Sequence, residues 1–176
     1  MLGFELEITE PHPRFMGYSF NQKVDDILVG LVLDGFSIDD ESGQDDADSG
    51  TLYMRGPFYG EQVKLVILFR PEDHIIKTMM VVFDNDSTIW TLVDVQYEFI
   101  KMKVESRYGK PIHTEEKFTT PYKENDGNEY EAFATSNASW MNLYHVEGGV
   151  VSLSILFDNG YLKTCLAITD TQNDDN

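Results

Sequence analysis

Seven acidic residues crowd one short stretch: Asp34, Asp39, Asp40, Glu41, Asp45, Asp46 and Asp48, with no Lys or Arg among them. Carboxylates at that density do two kinds of chemistry. They ligate hard cations through oxygen, or they attract a cationic partner by charge. The EF-hand pattern tests the first. A loop opening at Asp46 puts Asp48 and Gly50 at its third and fifth positions, but Thr51 stands where Gly is needed and Pro57 where Glu is needed. The pattern fails, which leaves a calcium site of another kind on Asp45, Asp46 and Asp48. The simplest reading is a solvated acidic loop. If the stretch binds anything, Asp39, Asp40, Glu41, Asp45, Asp46 and Asp48 are the candidate residues and a cationic protein is the candidate partner. No metal and no cofactor is assigned.

Other chemistry leaves little trace. The chain has no phosphate-cradling Gly-rich loop, no dinucleotide fingerprint, no Gly-x-Ser-x-Gly elbow and no His-Glu-x-x-His. Its histidines, His12, His74, His113 and His145, are scattered, and Cys165 sits inside an apolar run where a buried, inert thiol is expected. No nucleophile–base pair follows from spacing, so the chain reads as a non-enzyme. A net charge of −18, from 31 acids against 13 bases, argues against nucleic acid and anionic membrane, because phosphate contact needs a basic surface. No apolar run nears the roughly 20 residues that span a bilayer. The start lacks a basic region followed by an apolar one, and a lone cysteine forms no internal disulfide, so the cytoplasm is the expected compartment. A secreted chain trimmed of its signal would read the same way.

At 41% hydrophobic and 12% aromatic, the chain holds enough apolar mass for a core. Residues 4–9 alternate as a short leading strand. Asn21 is placed to cap a helix whose apolar positions Val24, Ile27, Leu28 and Leu31 fall on one face, with Gly35 as its stop. Strands read at 51–56, 62–69 and 75–83. The stretch 84–87 turns into a second helix, with Asp86 or Ser87 as cap. Its stripe is Trp90, Val93, Tyr97, Ile100 and Val104, and Gly109 and Pro111 end it. Further strands read at 115–120, 130–135, 140–146, 150–157 and 161–169, the last two joined by Asp158-Asn-Gly160.

A faint repeat organises these elements. Val63-Lys-Leu-Val-Ile-Leu-Phe69 returns as Val151-Ser-Leu-Ser-Ile-Leu-Phe157. Each copy is followed by a turn and then by Ile76-Lys-Thr78 or Leu162-Lys-Thr164. In both halves a Gly-stopped helix comes first. The expected fold is therefore α+β: an antiparallel sheet with two helices on one face, built from a pseudo-repeat of helix followed by strands. Residues 1–170 read as one domain with halves at about 15–83 and 84–170, and 171–176 as a disordered tail. Lys64, Ser152 and Ser154 are expected on the face away from the helices.

Two likenesses follow. The opening Phe15-Met-Gly-Tyr-Ser-Phe20 with its capped helix ending Asp34-Gly-Phe36 resembles that of a set of uncharacterised small bacterial α+β domains. So does the second helix, from Trp90 through Tyr97 to Arg107-Tyr-Gly-Lys-Pro111. This resemblance implies a fold and no activity. The doubled helix-plus-sheet plan is similar in topology to the β-lactamase-inhibitor-protein family, which binds a protein on a concave sheet. The expected function is accordingly non-catalytic protein binding through the sheet face or the acidic loop. An immunity-like inhibitor of a basic toxin is one alternative, and a small-molecule or carbohydrate module using Trp90, Trp140 or nearby tyrosines is another.

Overall fold

A computed structural model describes residues 11–39 and 49–172. The strand expected at 4–9 and the acidic residues Asp40, Glu41, Asp45, Asp46 and Asp48 lie outside them. A small ribbon, β1 (Arg14–Phe15) with β2 (Tyr18–Ser19), leads into α1 (Val24–Leu33). Next come β3 (Ser37–Ile38), β4 (Thr51–Phe58), β5 (Glu61–Phe69) and β6 (Ile76–Ser87). A second series then runs α2 (Trp90–Tyr108), β7 (His113–Phe118), α3 (Glu129–Ala134), β8 (Ala138–Val146), β9 (Gly149–Asp158) and β10 (Tyr161–Asp170). Eight strands pair antiparallel in the order β3-β4-β5-β6-β10-β9-β8-β7. The order is a palindrome about the β6–β10 seam. Each half begins with a helix, lays down its outermost strand and finishes at the seam.

Strand parity sorts side chains onto two faces. Met54, Leu65, Val81, Leu166, Leu153 and Asn142 stand in register across one face, and all are buried. All three helices pack there: Val24, Ile27 and Leu31 of α1, the stripe Trp90, Val93, Tyr97, Ile100 and Val104 of α2, and Ala132 and Phe133 of α3 are buried. Lys64, Ser152 and Ser154 face the other way, as expected.

The helix ends show why local signals partly misled. No Asn21 cap forms. Lys23 is the N-cap residue of α1, with no side-chain bond, and the Val24 N–H donates instead to the His74 carbonyl at 2.9 Å. A tertiary contact replaces the local one. Nor do Asp86 or Ser87 cap α2: β6 runs on through Ser87, and Ile89 is the N-cap residue. At the other end of α1 the expectation holds. Gly35 adopts φ of +94°, and its N–H and that of Phe36 donate to the Val32 and Leu31 carbonyls at 3.1 and 3.0 Å. Those two bonds form a Schellman stop, which folds Phe36 back into the core.

Two further differences concern strands. Residues 130–134 belong to α3 rather than to a strand, with Thr135 as its C-cap residue; the adjacent Ala132 and Phe133 are both buried, where a strand would send them to opposite faces. The matched Lys-Thr pairs of the repeat are not equivalent. Phe69 pairs with Ile76 as Phe157 pairs with Leu162, but a register shift in β6 then moves Thr78 opposite Leu68. Thr78 therefore points to the helix-free face, and Thr164 points into the core with no exposure.

Gly56 is the residue that the Phe36 fold-back depends on. A Cβ at Gly56 would come within 2.9 Å of the Phe36 Cα and 2.5 Å of its ring. Gly56→Ala is expected to lower unfolding free energy by about 1–3 kcal/mol through overpacking, read as a reduced urea midpoint at unchanged slope.

Candidate functional site

Asp39 is the one member of the expected acidic site among the described residues. It is buried, and its Oδ2 accepts from the Arg55 Nε at 2.9 Å. A carboxylate so held supports the sheet edge rather than presenting charge to a partner.

The feature that could meet a partner is the helix-free face of the sheet. One row across it is Tyr53, Val66, Met80, Ala167, Ser152, Leu143 and His113. The next is Arg55, Lys64, Val82, Cys165, Ser154, Met141 and Glu115. Its centre, from β6 to β8, carries no charge in either row. In these two rows the charges sit at the flanks, Arg55 and Lys64 on one side and Glu115 on the other; beyond them on the same face, Lys163 of β10 lies against Asp158 and Asp86 at 3.3 and 3.7 Å. Most central side chains are half-buried by their neighbours, and Val66 and Cys165 are buried. Across the seam the Thr78 and Thr169 hydroxyls bond at 3.1 Å. Burial pushes the Cys165 thiol up to about 12, so it is no thiolate near neutral pH. Such a face can be covered by another surface; it presents no nucleophile–base pair.

The chemistry-bearing polar cluster lies on the opposite, helix-packed face. Asn142 stands in an otherwise apolar row of β8. Its Nδ2 donates to the Tyr97 hydroxyl at 2.7 Å and to Glu116, and its Oδ1 accepts from Thr114 at 2.6 Å. Lys101 Nζ donates to Glu116 Oε1 at 2.7 Å, and the Tyr97 hydroxyl donates to the same oxygen at 3.2 Å. Burial alone would raise the Glu116 carboxyl, but Lys101, Asn142 and Tyr97 hold it below the usual range. Burial, reinforced by Glu116, raises the Tyr97 phenol far above its ordinary value. The network is closed on itself and ties α2 to β7 and β8. It is an anchor, and register alone reveals it.

Beside it, a cleft of about 590 Å³ opens between α2, β7 and residues 120–124, lined by Asp94, Glu98, Glu116, Glu124 and Lys123 among others. Burial raises the Asp94 carboxyl, and Glu98, Glu124 and Glu116 add repulsion. The cleft is acidic, but among the described residues no group of three or more His, Cys, Asp or Glu side chains is placed to hold a metal. Trp90 and Trp140 meet edge to face at 5.1 Å, against Phe118 and Phe133. Both indoles are buried, so neither offers a platform for a sugar ring.

No described helix is long and apolar enough to cross a membrane. No family model matches the chain, and neither a curated protein nor a solved structure shows significant similarity to it.

Truncating Asn142 to Ala would leave the buried Tyr97 hydroxyl and Glu116 short of a partner, at a cost of about 2–3 kcal/mol of stability. The Glu116 carboxyl titrates lower in the folded chain than its ordinary value of 4.5. Its contribution is therefore present above pH 4.5 and lost as pH falls through the lower, folded value. Urea unfolding at several pH values is expected to show Glu116→Gln losing stability against wild type above pH 4.5, with the gap closing below it. A gap that stays constant down to the acid limit would contradict this.

Proposed function

We propose that this chain is a non-catalytic binding domain that holds a protein partner on the helix-free face of its sheet. The observation that carries the reading is the unequal treatment of the two faces. One is covered by three helices; the other is broad, rigidly registered, uncharged at its centre and free of helices among the described residues. A centre without charge, bordered by charged side chains, suits a protein interface, whose buried core is depleted in charge. A second reading, a cationic partner such as a basic toxin held by an immunity-like inhibitor, draws on the net charge of −18 and the acidic cleft beside α2. The two readings use opposite sides of the molecule.

Substitution separates them. Immobilised wild type, Met80→Arg and Val32→Glu, each shown folded by circular dichroism, would be offered to extract of the native cell. The sheet-face reading expects a partner kept by wild type and Val32→Glu and weakened at least about tenfold by Met80→Arg, because a charge at a hot centre costs that much or more. A partner indifferent to Met80→Arg, whose association slows steeply with added salt, would favour the cationic-partner reading instead.

A further inference from the structure

Both long helices bury one stripe and expose another. On α2 the side chains opposite the buried stripe are Leu92, Val95, Phe99 and Met102, exposed by 60, 69, 37 and 61%. Their spacing of three, four and three residues is that of successive a and d positions in a heptad. With Leu92 at a and Val95 at d, Phe99 and Met102 are the next a and d. Glu98 and Glu105 then occupy g, and Gln96 and Lys103 occupy e. The outward stripe is thus bordered by Glu98 and Glu105 along one side and, along the other, by Lys103 and by the buried Gln96, which donates to Glu61 at 2.6 Å.

That asymmetry selects the occupant. A uniformly cationic partner would satisfy the Glu98 side and meet like charge at Lys103. A second copy of this chain, related by a two-fold axis running along the helix, brings Glu98 of each helix to Lys103 of the other. In a parallel pair each g residue faces the e residue five positions further along its partner, so Glu98 meets Lys103 of the second copy twice over by symmetry. The remaining pair of this kind, Thr91 with Gln96, is uncharged. An antiparallel pair would set Glu98 against Glu98. Lys103 is available for this: it is exposed and lies 5.3 Å over the Phe99 ring, on the border of the stripe. The stripe on α1 offers no such match. Val29, Val32 and Leu33 are exposed there beside Asp25, Asp26 and Asp34, and its last turn holds no base.

We propose that α2 pairs in parallel with α2 of a second copy, with Leu92, Val95, Phe99 and Met102 as the seam and Glu98–Lys103 as the flanking ion pairs. Four side chains at these exposures present on the order of 400 Å² per copy, within the span of the largest patch a monomer leaves uncovered. Used twice, and with its polar borders, the patch reaches only the low end of specific interfaces, so the dimer is weak and micromolar. The net charge of −18 on each copy also opposes association. Because the helices cover only one side of each sheet, pairing them turns both helix-free faces outward on opposite sides of the dimer. The inference does not rest on what those faces bind.

Sedimentation equilibrium on the full chain, from micromolar to millimolar, tests it. The expected result is a concentration-dependent dimer that Val95→Glu weakens by at least about tenfold and Val32→Glu leaves unchanged. Glu98→Lys and Lys103→Glu each weaken it, and the two together restore it. A chain that stays monomeric throughout would overturn the proposal, as would a dimer that tolerates Val95→Glu or is lost with Val32→Glu. So would a double charge reversal that remains as weak as the single ones.

Discussion

The pairing of β6 with β10 is the contact on which the rest of this molecule depends. Val81 opposite Leu166 and Met79 opposite Ile168 merge two apolar half-cores into one. On the other side of the same strands, Val82 meets Cys165 and Met80 meets Ala167, which makes the helix-free face continuous. Without the seam, each half would be a four-stranded sheet ending in a long unpaired edge, open to association with other chains. With it, the remaining edges among the described residues are β3, of two residues, and β7, which carries His113, Glu115, Glu116 and Lys117. Short or charged edges resist further pairing.

The seam also explains why function is read from faces and not from a pocket. A single sheet with every described helix on one side has one surface committed to folding and one left over. On the committed side, the Asn142 cluster answers its own donors and acceptors, the Tyr144 and Thr164 hydroxyls are buried without a hydrogen-bond partner, and the tryptophans lie in an aromatic core. Acid charge gathers on that side too, around the outer border of α2 and the cleft it shares with Glu116 and Glu124. The other side is neutral where it is widest. A chain of strongly negative charge thus keeps one sheet face uncharged at its centre, while the helix side carries both the acid charge and the exposed apolar stripes of α1 and α2.

How much of this the sequence disclosed depends on whether local rules decided the outcome. The stripes of α1 and α2 are set by helical spacing and were legible residue by residue. So was the β9–β10 turn, where Asn159 and Gly160 take φ of +50° and +83° as a tight hairpin demands. The repeat was legible as palindromic topology, but its matched Lys-Thr pairs are not structurally equivalent, because a bulge in β6 puts Thr78 and Thr164 on opposite faces. Elements decided by tertiary contact were misread. Residues 130–135 suit a strand by composition, yet Phe133 reaches Trp90 and Trp140 only as part of α3. The Asn21 cap lost to the His74 carbonyl. The Asn142 network was hidden, since Tyr97, Thr114, Glu116 and Asn142 converge only once β7 and β8 are in register. Of the expected acidic site, Asp39 proves to be a buried partner of Arg55, which its neighbours in sequence give no sign of.

The central claim is that the helix-free face, uncharged at its centre, remains open to solvent while the opposite face of the sheet is covered. Methionines report on both sides: Met80 and Met141 stand on the helix-free face, and Met54 and Met79 are fully buried beneath the helices. Labelling the methionine methyls and adding a soluble paramagnetic agent would show which of them solvent reaches. The account predicts that the Met80 and Met141 signals broaden while those of Met54 and Met79 stay sharp. Met80 and Met141 as protected as Met79 would mean that the face is covered, and would contradict it.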